Sequence, residues 1–409
     1  MAPVLFIYLM NAFAETLSKK WKFAKMEYKW FPQSKNGNKR GRLTSQSPKS
    51  KGSEFDLFYF LYVDDGAMLF DTREDLAEGT QLLFNHFARF GLEMHIGVGD
   101  KKSKTECVHF PAADQQQPAN LENIQVEQGF VSFTNCFKYL GSIISSNLND
   151  EIDIDARISQ ANKAMGALRG YFRCPQVNLH SKRLIYLAIP INLVLWGVES
   201  WALTERCYKK LQVFHTRSIR SILQINMTQV EEERITNHQI LKRIDIPSME
   251  NIIAKRQLKW LGKIARMEES RLPIKMLSCW LPTPRPAHKP HTTNRNSLVR
   301  SLQILDPNIS KQGILAEWFP SAQNEEEWNQ RIENIFVNEK EPPRKRRRFG
   351  NVTESEHHPE TNQEVHLPTP QLRSAPYNQT MMLAEPISLF LRSQNLNDKH
   401  WIVLHHCPD

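Results

Sequence analysis

The pattern of apolar and polar positions divides this 409-residue chain into three stretches of different character. In residues 1–150 the apolar positions come mostly in short runs. Phe58–Val63 and Ala67–Phe70 flank Asp64-Asp65-Gly66 and predict a hairpin, with Asp65-Gly66 as the turn because glycine tolerates positive φ. Thr72–Phe90 follows with Leu76, Thr80, Leu83 and Phe87 on one helical face. Glu106–Pro111 and Gln128–Ile144 read as further strands. Met1–Leu17 reads as a buried helix, apolar on every face. In residues 151–268 the period becomes helical. Ile154, Ile158, Ala161, Met165 and Leu168 form a stripe, with Arg157, Lys163 and Arg169 off it. Pro190 interrupts the apolar run Leu184–Leu203 and ends or kinks a helix there. Thr204 caps a helix carrying Leu211, Phe214 and Ile222. Thr228 and Glu231 have the spacing of a capping box, and a further helix starts near Ser248.

Composition changes the picture at two places. Residues 18–53 are rich in Lys, Ser, Gly and Asn and predict a basic, flexible loop. Residues 281–409 are rich in Pro, Ser, Thr, Asn and Gln, a composition that buries too little apolar surface to offset chain entropy. They predict a largely disordered tail, interrupted by a helix around Ala316–Phe336. The expected class is therefore α+β, with a strand-and-helix part, a helical part and a tail.

The formal net charge of +9 is compatible with a polyanionic partner, and equally with solvated lysines. Six scattered cysteines without a C-x-x-C pair signal neither a zinc framework nor a disulfide scaffold. His405, His406 and Cys407 come nearest to a metal cluster, but tetrahedral zinc normally takes four ligands. The apolar N-terminal run, about 12 residues, is too short to span a bilayer, so no membrane partner is expected.

Asp64 and Asp65 raise the chemical question. Two buried neighbouring carboxylates cost several kcal/mol each and repel one another. A divalent cation removes both problems, and Mg²⁺ takes hard oxygens, commonly one or two carboxylates plus substrate phosphates. A solvated Asp-Asp-Gly turn is the plain alternative. The six apolar or aromatic residues before the pair and four after it argue for burial.

At these residues the chain resembles a family. YVDD at Tyr62–Asp65 resembles the metal-binding hairpin of reverse transcriptases. MAPVLFIYLMNAFAETL resembles the palm helix before that hairpin, FARFGLEMHIGVGDKKSKTECVHF the segment after it, and FKYLGSIIS the primer-grip hairpin. GVESWALT, LQVFHTRSIRSIL and RQLKWLGKIARM resemble the helical C-terminal region of non-LTR, LINE-like retrotransposon polymerases. The resemblance covers roughly Met1 to Met267.

It implies a truncated palm over residues 1–150, a thumb-like region over 151–268, and RNA-directed DNA synthesis with two Mg²⁺ in the parent enzyme. Asp64 and Asp65 would be the metal ligands. Lys104 would protonate departing pyrophosphate, with Lys101 and Lys102 as rivals and a solvated charge run as the plain reading. Tyr62 and Val63 would lie near the primer end. Phe137, Tyr139, Leu140 and Gly141 would grip the primer, with a plain core strand as the alternative for Phe137 and Leu140. Lys209, Lys210, Lys255 and Lys259 would meet phosphates of an RNA template and DNA primer, unless they are simply a solvated face. The family's fingers and upstream metal-binding aspartate have no counterpart here. The expectation is thus a polymerase fragment inactive alone, with weak or absent Mg²⁺ binding; the alternative is a non-catalytic nucleic-acid-binding remnant. The basic run at 344–348, with Lys345, Arg346, Arg347 and Arg348, is a nuclear-import candidate, leaving a nuclear or cytoplasmic location.

Overall fold

A computed structural model describes residues 2–24, 26–30, 53–62, 65–111, 121–127, 129–278, 294–311, 315–337 and 400–405. The fold is mixed α+β. Its first part runs α1 (Ala2–Lys20), β1 (Met26–Trp30), β2 (Ser53–Leu57), β3 (Tyr59–Tyr62), β4 (Asp65–Phe70), α2 (Arg73–Arg89), β5 (Glu106–Phe110), β6 (Ile124–Val126), β7 (Gly129–Phe133), β8 (Cys136–Tyr139) and β9 (Ser142–Ser145). The helical part follows as α3 (Glu151–Ala167), α4 (Arg169–Arg173), α5 (Leu179–Ala188), α6 (Pro190–Val194), α7 (Glu205–Leu223), α8 (Met227–Glu232), α9 (Asn237–Arg243), α10 (Met249–Ala265), α11 (Leu272–Ser278), α12 (Asn294–Leu305), α13 (Leu315–Gln323) and α14 (Glu325–Val337). The last described element is β10 (His400–His405).

Six strands form one sheet in the order β3-β4-β10-β5-β7-β6. Strand alternation sends successive side chains to opposite faces. Met68, Phe70 and Cys107 share a core with Met10, Phe13 and Leu17 of α1 and with Leu76, Leu83 and Phe87 of α2. Ala67, Leu69, Val108 and Phe110 face the other way, against Phe137, Tyr139 and Ile144 of the β8–β9 hairpin and Met276 of α11. On the first face α2 lies very close to β4: a Cβ on Gly79 would stand 2.1 Å from Phe70 Cε1.

The helices enclose two further cores. One gathers Ile154, Tyr186, Trp201, Leu211 and Ile253. The other gathers Leu258, Leu261, Leu302, Trp318, Trp328 and Ile332. Helix α10 contributes to both. Its apolar residues run round more than one face, which suits a helix enclosed by neighbours.

Helices α2, α7 and α10 start where predicted: Thr204, the expected cap, and likewise Thr72 and Ser248 each accept the backbone N–H three residues on. Pro190 takes the first turn of α6. Other expectations need correction. Asp65 and Gly66 are strand residues, paired with Tyr62 and Leu61, so the turn does not fall on them. Gly66 instead meets a packing limit, since a Cβ there would stand 3.2 Å from Leu61 Cδ2. The capping box of α8 is Asn226 with Gln229, which leaves Thr228 inside the helix; a second box, Thr236 with Gln239, opens α9. Among its described side chains, helix α1 buries Met10, Phe13 and Leu17, while Val4, Leu5, Ile7 and Tyr8 are exposed. Within 18–53, Met26–Trp30 form β1, which pairs with β2, a strand that starts at the last residue of that stretch. Within 281–409, α13 and α14 occupy the place of the expected helix around Ala316–Phe336, while α12 and β10 are further elements; Leu298, Leu302, Trp318, Trp328 and Ile332 join one core. The remainder of both stretches, including Lys345–Arg348, lies outside the described residues.

Candidate functional site

The hairpin β3–β4 ends on the register pair Tyr62–Asp65. Asp65 is only 8% exposed, and every residue of β4 is buried. Tyr62 is half-buried, and Val63 and Asp64 lie outside the described residues. Asp65 shares the parity of Ala67 and Leu69, so it belongs to the sheet face that receives the β8–β9 hairpin.

That hairpin brings Tyr139 to the same place. Tyr139 is 3% exposed, and its phenol is pushed up, first by burial and then by the negative charge of Asp65. Leu140 and Gly141 connect β8 to β9 with φ of 46° and 87°. Two consecutive positive φ values are what a two-residue hairpin turn demands, and glycine takes the second without a Cβ penalty.

A buried polar network fixes the hairpin to the helical part. The Arg157 guanidinium donates to the Gly141 carbonyl and lies 3.4 Å from Asp153. Asp153 also accepts from the Ile143 N–H at 3.1 Å and from Trp201 Nε1 at 2.9 Å. Asp150 accepts from the Ala202 N–H at 2.5 Å. Arg157, off the apolar stripe in sequence, is therefore buried because it carries its acid four residues back.

Lys104 is exposed just before β5, its backbone N–H donating to His95 Nδ1 at 3.0 Å. Ala67, Leu404 and Glu106 form one row across the sheet. Lys104 and Asp65 thus lie at the same sheet end, with the β4 and β5 backbones about 10 Å apart across β10. Lys101 and Lys102 are also exposed. Glu106, which sequence reasoning passed over, shares this row and face; burial pushes its carboxyl up against the opposing charge of Lys102. Only the strand register could have revealed it.

The candidate phosphate-binding lysines divide. Lys209 is exposed on α7. Lys210 lies 2.7 Å from Glu151 and 2.7 Å from Asp155. Lys255 and Lys259 lie 2.6 and 3.6 Å from Glu333 of α14. These three ammoniums already have carboxylate partners, and Lys255 and Lys259 share one of them, Glu333, on a helix inside the expected tail.

Asp65 is a hard-oxygen donor of the kind Mg²⁺ accepts alongside phosphate oxygens. Among the described residues, no group of three or more His, Cys, Asp or Glu side chains is gathered to hold a metal. The donor set fits part of a magnesium site rather than a closed protein cage.

The chain is similar to an uncharacterized transposon-derived protein of Caenorhabditis elegans, 22% identical over 276 residues, which cover 65% of this chain and 92% of that relative. This supports a transposable-element origin. No family profile matches the chain, and no solved structure matches it. Among the described residues no helix is long and apolar enough to cross a membrane.

Proposed function

We propose that this chain derives from the RNA-directed DNA polymerase of a LINE-like retrotransposon and engages an RNA template and DNA primer at the Asp65 end of its sheet. The observation that carries the reading is a buried carboxylate at the tip of an aromatic hairpin, close enough to a second hairpin to act electrostatically on Tyr139. Asp64 and Asp65 would hold Mg²⁺. In such a site bound magnesium supplies activation of a 3′-hydroxyl and stabilisation of the leaving pyrophosphate. Leu140 and Gly141, pinned through Arg157, would position the primer. Lys104 stands at the same sheet end, where a proton donor to pyrophosphate is needed.

Among the described residues no group of three His, Cys, Asp or Glu side chains is gathered to complete a two-metal site, and orientation suffers accordingly. The purified chain, given a poly(rA)–oligo(dT) heteroduplex, dTTP and Mg²⁺, is expected to bind the duplex more tightly with Mg²⁺ than with EDTA. It should incorporate no dTMP above the Asp64→Ala background. Incorporation that disappears in Asp64→Ala would overturn the inactivity. Duplex binding indifferent to both Mg²⁺ and Asp64→Ala would overturn the site and leave a non-catalytic binding remnant.

A further inference from the structure

The sheet that carries Asp65 has an unusual seam. Strands β4 and β5 do not pair with each other; β10 lies between them, antiparallel to both. On one side Trp401 to His405 pair with Phe70 to Gly66, and on the other His400 to Leu404 pair with Phe110 to Glu106. Remove β10 and the sheet falls into two pieces, β3-β4 and β5-β7-β6, each presenting a row of unpaired backbone groups. The other strands pair with partners close in sequence or reached within the first part of the chain. Among the described strands the insert alone comes from beyond the helical part.

We propose that the cleft between β4 and β5 is a strand-receiving site, and that its occupant is the chain's own segment 400–405, acting as a separable ligand in cis. Three features carry this. The two walls run parallel to each other, so one extended segment can be antiparallel to both. Recognition by both walls is through the main chain, which is how added strands gain affinity in β-augmentation. And the pairing closes a very long loop, so it forms only after the elements on either side exist. The position also matters for the site. His405 pairs with Gly66, next to Asp65. The inserted strand therefore sets the spacing between Asp65 on one wall and Glu106 on the other. This inference stands independently of the polymerase reading, since it concerns what completes the sheet rather than what the sheet does.

The test uses the full chain carrying Val403→Pro. Proline removes an N–H and is not tolerated within a central strand. Amide hydrogen exchange is followed with and without a synthetic peptide of residues 398–409. The expected result is protection in β4 and β5 reduced on the order of 100-fold, while α7 and α10 keep theirs. The wild-type peptide, added in excess, should restore β4 and β5 protection; the same peptide carrying the proline should not. Unchanged protection in Val403→Pro would overturn the assignment of the segment to the cleft. Lost protection that the wild-type peptide fails to restore would overturn the receiving-site idea, making β10 an integral strand. Concentration-dependent dimers of the unsubstituted chain, with β4 protection lost on dilution, would overturn occupancy in cis.

Discussion

In the helical part, buried polar side chains close on one another. Gln257 donates to the Val198 carbonyl at 3.0 Å and to Ser297 at 2.9 Å, and accepts from Ser301 at 2.6 Å. His215 sits between the Tyr186 hydroxyl at 2.9 Å and the Pro247 carbonyl at 3.0 Å. His215 and Gln257 lie on α7 and α10, which Thr204 and Ser248 cap. The sheet part is assembled differently: α1, the β3–β4 hairpin, β5 and the inserted β10 meet from distant positions, and the buried acid sits at one end of that assembly. The helical cores enclose closed polar sets such as these, whereas the sheet is assembled around a strand from far along the chain and carries a buried acid at one end. Low-dielectric networks that are fully paired make a region rigid, whereas regions built late from remote segments open more easily.

The contrast can be broken most forcefully at Trp201. This side chain is fully buried and donates to Asp153. Trp201→Ala should cost about 3–5 kcal/mol by denaturant unfolding, with exchange protection lost in α3 and in the β8–β9 hairpin together. Protection lost in α3 alone would show that the network does not couple hairpin to helices.

A pH titration addresses His215. Burial lowers its pKa to about 4, against 6.5 in an unfolded chain. The neutral ring fits the geometry, with Nε2–H donating to Pro247 and Nδ1 accepting from Tyr186. Between these values the unfolded chain binds the extra proton, so stability must fall as pH drops from 6.5 towards 4. The full loss is about 3 kcal/mol, and His215→Asn should flatten that slope. An unchanged slope in the variant would assign the acid sensitivity elsewhere.

Gly79→Ala tests the sheet side. The added methyl meets Phe70 with no room, and should destabilise by about 1–3 kcal/mol, with exchange increasing first in β4 and α2 rather than in α10. Equal loss in α10 would mean that the two parts unfold as one. The smallest effect belongs to Lys255→Ala, whose partner Glu333 is half exposed. About 0.2–1 kcal/mol is expected, shrinking with salt, and heteroduplex affinity should not change because this ammonium is already committed to α14.

These outcomes track what the sequence could reveal. Helix α7 was legible because Thr204 announces it, and α2 because its apolar face, Leu76, Thr80, Leu83 and Phe87, repeats locally. The α8 cap was misread because Thr228-x-x-Glu231 and Asn226-x-x-Gln229 both satisfy the capping pattern, and only packing selects between them. The hairpin holding Asp65 was legible from its aromatic flanks, though its turn was displaced by the familiar Asp-Gly signal. Two features were beyond reach. One is β10, whose partners Met68 and Cys107 are set by long-range pairing. The other is α12, whose Leu298 and Leu302 join the core that α10 begins; α13 and α14 fall where one helix around Ala316–Phe336 was expected.

The central claim, that the aspartates at the tip of this hairpin hold a divalent cation, is tested most directly by letting iron substitute for magnesium. With heteroduplex present, Fe²⁺ and ascorbate should cut the backbone between Leu61 and Gly66, and the cutting should fade with excess Mg²⁺ and in the Asp64→Ala, Asp65→Ala double variant. A chain cut elsewhere, or cut equally in the double variant, would contradict it.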